Sequence, residues 1–435
     1  MNLKLKINPA NLVCAIFVFD CAVMPVLKIM GVSVKISYGI AFLALAFLML
    51  ELLRRKRNIL GSSQPIMLAL VGYAVLMCFG EIWSIPFYGI TVGTNFYKLV
   101  IGVVLMAGSL YFGYRCKAKV GTAAYWSFVL NVVVNCTLAL LGREAPAFLT
   151  KLYSVSVETF MDGYYRNGGI IGNPNSSLLV TNMILLLVVV LYRFDKIKLS
   201  NLQLASVYLL SIAADIIVSS RGELLHTILI LAYLSYWVVR KNNNILKLLP
   251  RVAAVLLIII LAVSLFWGNL VKQYPNIQLS LERMSGIEEI FDTSESEESE
   301  DDVNTIARPF LRADVFWNRF KHSPIWGTGI DGNGDHADFQ KGTTGYHNDF
   351  FMILGATGIL GLLLWLVIIK KAVKTVGICM LFPFLITGIS NTFARSYFGT
   401  MLYFFIIGYV LFLREKEQTE LVQQQPPTYG QISYQ

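Results

Sequence analysis

The chain is poor in charge. Of its 435 residues only 14% are Asp, Glu, Lys or Arg, where a soluble protein carries roughly a quarter. So sparsely charged a surface does not stay dispersed in water, which excludes a cytosolic or secreted globule. Cysteine is scarce too. The six residues, at 14, 21, 78, 116, 136 and 379, lie in apolar runs or a short basic loop without a CxxC spacing, so neither a disulfide framework nor a zinc site is expected. A short polar N-terminus followed at once by successive apolar runs, with no small-residue cleavage site, points to a retained first helix.

What the chain has in abundance is hydrophobic surface, 56% of its residues with a mean hydropathy of +0.61. Twelve apolar runs stand out, at 10–28, 33–53, 64–83, 91–113, 121–142, 176–192, 202–220, 222–239, 250–271, 348–369, 375–393 and 397–413. Each is close to the roughly 20 residues that a membrane-spanning helix needs. The expected fold is an all-α polytopic membrane protein of about 12 transmembrane helices. The net charge of +9 would suggest nucleic acid in a soluble protein, but here its placement matters more than its size. With a cytoplasmic N-terminus, the inner segments hold 21 Lys and Arg, whereas the short outer loops hold only Lys28, Lys35, Arg221 and Arg395. Basic residues collect in short cytoplasmic loops, which sets both termini in the cytoplasm and leaves no nucleic-acid partner.

Two outer segments are long. Residues 1–271 form nine helices with an outer segment at 143–175, residues 272–346 a large extracytoplasmic loop, residues 347–413 three more helices, and residues 414–435 a polar, disordered cytoplasmic tail. Within the large loop, 288–302 holds nine acidic residues. Such a block repels itself and reads as a disordered, solvated spacer.

Arginine beside an outer span end runs against the positive-inside bias and calls for a reason. Arg166 lies in YYRNGGIIGNPNSS, where Gly168, Gly169 and Gly172 let backbone approach an anion. Arg221 sits in the tight turn SSRGE; Arg308 and Arg312 lie in RPFLRADVFWNRF, where Pro309 suits the first turn of a surface helix anchored by Leu311, Val315, Phe316 and Phe320. Each has a purely structural reading as well: Arg221 pairing with Asp215 or Glu223, Arg166 with Asp162, Arg312 as an interfacial anchor. Several guanidinium forks at one membrane surface match the paired oxygens of a diphosphate.

Of the four histidines, His347 is the most informative, because the large outer loop enters the tenth span there and Asn348 or Asp349 is placed to cap the helix. The dipole at a helix start disfavours an imidazolium and leaves a neutral ring able to take a proton. His226 reads as a satisfied polar residue within the eighth span; His322 and His336 are loop residues. Asp20, near the middle of the first span, reads as a buried hydrogen-bonding group, and Glu81 and Lys98 as a possible ion pair.

Taken in order, an Arg with Gly-Gly and Asn-Pro-Asn before a mid-chain span, Ser-Arg-Gly between two spans, RPFLRADVFWNRFKHSPIWGTGI in the large outer loop and HNDFFMILGATGILGL opening a span resemble the O-antigen polymerase and O-antigen ligase superfamily of bacterial surface polysaccharides. The resemblance covers about residues 160–395 and is most specific over Arg308 to Gly361. It implies a metal-independent, inverting glycosyltransferase of the GT-C type, without a cofactor, at the outer face of the bacterial cytoplasmic (inner) membrane. The donor would be an undecaprenyl-diphosphate-linked glycan. The acceptor would be a second glycan for a polymerase building O-antigen or capsule, or the lipid A core of lipopolysaccharide for a ligase. By motif position, His347 looks like the base that deprotonates the acceptor hydroxyl, supported by Asn348 and Asp349. Arg166, Arg221 and one or both of Arg308 and Arg312 look like diphosphate-binding groups. The competing class is a polysaccharide transporter or flippase, which places its ionisable groups near the midplane; here the arginines and His347 gather towards one face.

Overall fold

The structure, a computed structural model, describes residues 8–25, 27–29, 32–54, 59–89, 92–141, 153, 157–160, 164–167, 170, 174–218, 220–241, 313–330, 348–388, 393 and 396–424. The helices are α1 (Pro9–Ala22), α2 (Ile36–Leu53), α3 (Gln64–Tyr88), α4 (Thr94–Arg115), α5 (Gly121–Leu141), α6 (Pro174–Arg193), α7 (Asn201–Val218), α8 (Arg221–Lys241), α9 (Ala313–His322), α10 (Asp349–Thr375) and α11 (Tyr397–Gln424). Among the described residues nine helices are long and apolar enough to cross a membrane. The chain is a multi-pass, all-α membrane protein, interrupted by two antiparallel hairpins, β1 (Leu27–Ile29) with β2 (Val32–Val34) and β3 (Val157–Phe160) with β4 (Tyr164–Asn167). The apolar run at 250–271, the outer loop apart from 313–330, and its acidic stretch lie outside the described residues.

Several expectations need correction. The first apolar run does not continue to residue 28: α1 stops at Ala22 and the chain enters the β1–β2 hairpin. Pro25 explains the stop, because it disfavours helical geometry in the residue before it. The run at 375–393 is not one regular helix. Gly377, at φ +137, ends the continuation of α10, and a 3-10 turn at Ile378–Leu381 and a π turn at Pro383–Thr387 follow. The tail beyond Arg414 is not irregular from its start, since α11 runs on to Gln424. That stretch is rich in good helix formers and closes a Lys416–Glu420 pair at i,i+4. Cys14 and Cys116 are joined as a disulfide, which tethers α1 to the end of α4. Glu81 turns inward and Lys98 is exposed, so these two do not form the expected ion pair.

The basic ends of the helices meet. Lys241 bonds Asp195 at 2.5 Å, Lys196 faces Glu417 at 3.9 Å, and Arg193 donates to the Val376 carbonyl. Glu415 accepts from Ser62 N at 2.9 Å and Tyr114 Oη at 2.6 Å. One end of the bundle therefore gathers the C-termini of α2, α4, α6, α8, α10 and α11, and their N-termini point to the other. The most enclosed spans are α6, with 89% of its window buried, and α11, with 83%. Along the α4–α11 contact, a Cβ at Gly113 or Gly408 would strike a carbonyl of the facing helix; small residues permit this close approach where no water drives association.

Asp20 behaves as a buried hydrogen-bonding group. Its carboxylate accepts from Ser37 N at 2.7 Å in the first turn of α2, and its carbonyl accepts from Lys35 Nζ at 2.9 Å. An anion at a helix start satisfies an orphan N–H and matches the dipole.

Candidate functional site

The end of the bundle that holds the N-termini of α6, α8 and α10 also holds the described parts of the expected site. Arg166 lies on β4, with Glu158 opposite it in the register, a cross-strand neighbour that the sequence pattern did not single out. The segment after β4 is tied to the bundle. Ile170 N donates to Asn135 Oδ1 at 3.0 Å, and Asn135, Asn131 and Thr181 form a buried network joining α5 to α6. In membrane-embedded helices such side-chain amides satisfy each other across the interface.

Arg221 is the first residue of α8, and Ser220 precedes it as the cap, its carbonyl accepting from Leu224 N at 3.0 Å. Asn348 is the cap of α10: its Oδ1 accepts from Phe350 N at 2.9 Å and Phe351 N at 3.3 Å. Asp349, in the first turn of α10, is fully buried. The side chains of Arg166 and Arg221, and residues Arg308, Arg312 and His347 altogether, lie outside what is described. The structure thus brings together the helix starts that carry Arg221, Asn348 and Asp349.

The start of α10 is braced from the outer loop. Helix α9 packs against it, with Phe316 against Gly355, and the following stretch Ser323–Ile330 is stitched to α10 by backbone. Thr328 N and Gly329 N donate to the Gly355 and Ala356 carbonyls at 3.0 Å each; Ile359 N donates to Pro324 O at 2.9 Å. These bonds are possible because α10 is broken at Gly358, with φ +63 and ψ −166, a conformation glycine alone adopts readily. Glu81 of α3 takes Ile330 N at 2.9 Å, and Ser84 Oγ donates to Thr328 O at 2.7 Å. Arg319 is fully buried and reaches the Ile330 carbonyl. This arginine is therefore part of the packing.

Sequence reasoning missed the group beneath this surface. Glu223, in the first turn of α8, is 1% exposed. Its Oε2 accepts from Asn182 Nδ2 of α6 at 2.9 Å and lies 3.2 Å from His226 Nδ1, and its Oε1 accepts from Thr387 Oγ1 at 3.0 Å. Thr227 Oγ1 donates to Asn182 Oδ1 at 2.7 Å. His226 is bonded through one ring nitrogen only; its Nε2 has no hydrogen-bond partner among the described residues. One signal was present in the sequence: Ser220-Arg221-Gly222-Glu223 has the spacing of a capping box, whose Glu would fold back on its own helix. Here that Glu turns into the bundle. Among the described residues no cluster of three or more His, Cys, Asp or Glu could hold a metal ion.

Compared with known proteins, residues 170–366 match the family described as O-antigen ligase. The matched stretch begins after β4, spans α6 to α9 and ends within α10. No curated protein matches the chain.

Proposed function

From the match of residues 170–366 to the O-antigen ligase family, we propose that this membrane protein is a glycosyltransferase that polymerises undecaprenyl-diphosphate-linked repeat units of a bacterial surface polysaccharide. The observation that carries the reading is the convergence of helix starts at one end of the bundle, with Arg221 opening α8 and Asn348–Asp349 opening α10. Each helix N-terminus carries a partial positive charge of about half an elementary unit, suited to a diphosphate at the membrane surface.

In this reading the acceptor hydroxyl gives its proton to the imidazole of His347, which precedes the Asn348 cap in the chain. The hydroxyl oxygen bonds to the anomeric carbon as the bond to the diphosphate oxygen breaks, inverting that carbon. Undecaprenyl diphosphate leaves with the electron pair, its charge met by Arg166, Arg221, Arg308 and Arg312. A diphosphate is a weakly basic leaving group, so charge neutralisation by guanidinium can replace a general acid or a metal ion. The site end faces away from the cytoplasm and both termini face it.

A ligase that transfers the finished chain to a lipid A core shares the donor and the base. Incubating the purified protein in vesicles with lipid-linked repeat unit alone separates the two. A ladder of products is expected; extension that appears only after lipid A core is added would assign the ligase reaction.

A further inference from the structure

Glu223 sits two residues after Arg221 in the first turn of α8, at the position where a capping-box Glu ordinarily returns to its own helix. Its carboxylate is instead held by Asn182 of α6 and Thr387 of the π turn, with His226 alongside. Burying a carboxylate among spans is costly unless its oxygens are satisfied, so this arrangement is maintained against a penalty that a cap at the surface would not incur. Thr387 is itself fully buried, and the residue after it, Gly388, packs on the start of α10: a Cβ there would lie 3.3 Å from Asp349 Oδ2 and 3.7 Å from Asp349 Cβ. A continuous strut therefore runs from the first turn of α8, through Thr387 and Gly388, to the first turn of α10.

The segment that reaches both helices is the π turn Pro383–Thr387, with Pro383 at its start. It sets the Thr387 hydroxyl against Glu223, and the bare backbone of Gly388 after it lies against Asp349. Single π turns inside helices are frequent at functional sites.

We propose that Glu223 and Thr387 are positioning residues for glycosyl transfer, fixing the spacing between the turn that carries Arg221 and the turn that follows His347. The inference rests on the reading given under Proposed function. It adds that the two halves of the site, diphosphate recognition and proton abstraction, are set in register by a buried hydrogen bond between a transmembrane helix and an interrupted one. Displacing a reacting group by about 1 Å costs on the order of a hundredfold.

The test compares Thr387→Val, Thr387→Ser and Gly388→Ala with wild type and His347→Ala, using the lipid-linked repeat unit in vesicles and normalising to folded protein by thermal unfolding. Thr387→Val keeps the volume and loses the hydroxyl; we expect kcat to fall about tenfold or more with donor KM little changed and the melting temperature near wild type. Thr387→Ser, which restores the hydroxyl, should recover most of the rate, and Gly388→Ala, which presses on Asp349, should lower kcat in the same way. If Thr387→Val and Gly388→Ala transfer glycan at the wild-type rate, or if their loss follows the melting temperature and Ser does not rescue it, the strut is only packing and the proposal falls. A wild type that transfers nothing, or a fully active His347→Ala, would overturn the underlying reading instead.

Discussion

At the scale of single residues, the arginine at position 221 combines two opposing demands. A cation at the first position of a helix is disfavoured by the dipole, yet an anionic donor bound at that helix start would call for one. Lysine keeps the charge and loses the planar fork that grips two phosphate oxygens. Arg221→Lys should therefore raise the donor KM about tenfold, the cost of one charge-assisted hydrogen bond of about 1.5 kcal/mol; an unchanged KM would assign Arg221 to an ion pair within the fold.

Lys35 offers a second residue-scale expectation. It precedes α2, is 2% exposed and lies 3.9 Å over the Phe398 ring. Burial pushes its ammonium down to about 8, with the nearby Asp20 charge pulling the other way. Between that value and the ordinary lysine range the unfolded chain holds a proton that the folded chain has released, so stability should rise with pH through that window. Thermal unfolding in detergent at pH values spanning the window should show this rise in wild type and not in Lys35→Met. Equal pH dependence in both would contradict it.

Among elements, hydropathy made the long spans legible to within a few residues: the runs at 33–53 and 121–142 became α2 (Ile36–Leu53) and α5 (Gly121–Leu141). Length and composition decide such helices in a membrane, because every backbone group must be satisfied inside the segment. What was not legible depends on tertiary partners. The 375–393 run is apolar enough for a span, but Gly377, Pro383 and Gly388 interrupt it, and its breaks are supported by α8 and α10. The kink at Gly358 was equally hidden, since GATGILG reads as a helix until the Ser323–Ile330 stretch is seen to supply its missing hydrogen bonds. Gly358→Ala should cost about 1–3 kcal/mol for the left-handed backbone alone, and its Cβ would also meet the Ile325 backbone. We expect a lower melting temperature and weaker protease resistance of the outer loop; a melting temperature equal to wild type would show that the break is not required.

The site was legible unequally, for a physical reason. Helix starts announce themselves in sequence through caps: Asn before an apolar run is such a signal, and of the two candidates, Asn348 and Asp349, the cap is Asn348. Buried polar partners do not announce themselves. Glu223, Asn182 and Thr387 come from distant parts of the chain, and only the packing of α6, α8 and the π turn joins them. Arg319, in the same stretch as Arg308 and Arg312, is likewise settled only by packing: it is enclosed against Phe316 and Ile330.

Among the described residues of the whole molecule, the up-and-down path places six helix starts at one end and most of the basic residues at the other. This is the pattern expected when the basic end faces the cytoplasm. A reporter fused after Gln435 should be active only in its cytoplasmic form, and activity of the periplasmic form would reverse the orientation and remove the proposed site from the outer face.

We propose above all that His347 acts as the base in a metal-independent transfer from a lipid diphosphate. The most direct measurement is the rate at which purified protein in vesicles consumes an undecaprenyl-diphosphate-linked repeat unit in the presence of EDTA, wild type against His347→Ala. Wild type should extend the glycan and release undecaprenyl diphosphate without added metal, and His347→Ala should be slower by about 10²- to 10⁴-fold at equal membrane abundance. Equal rates in the two proteins, or a wild type that EDTA silences, would contradict it.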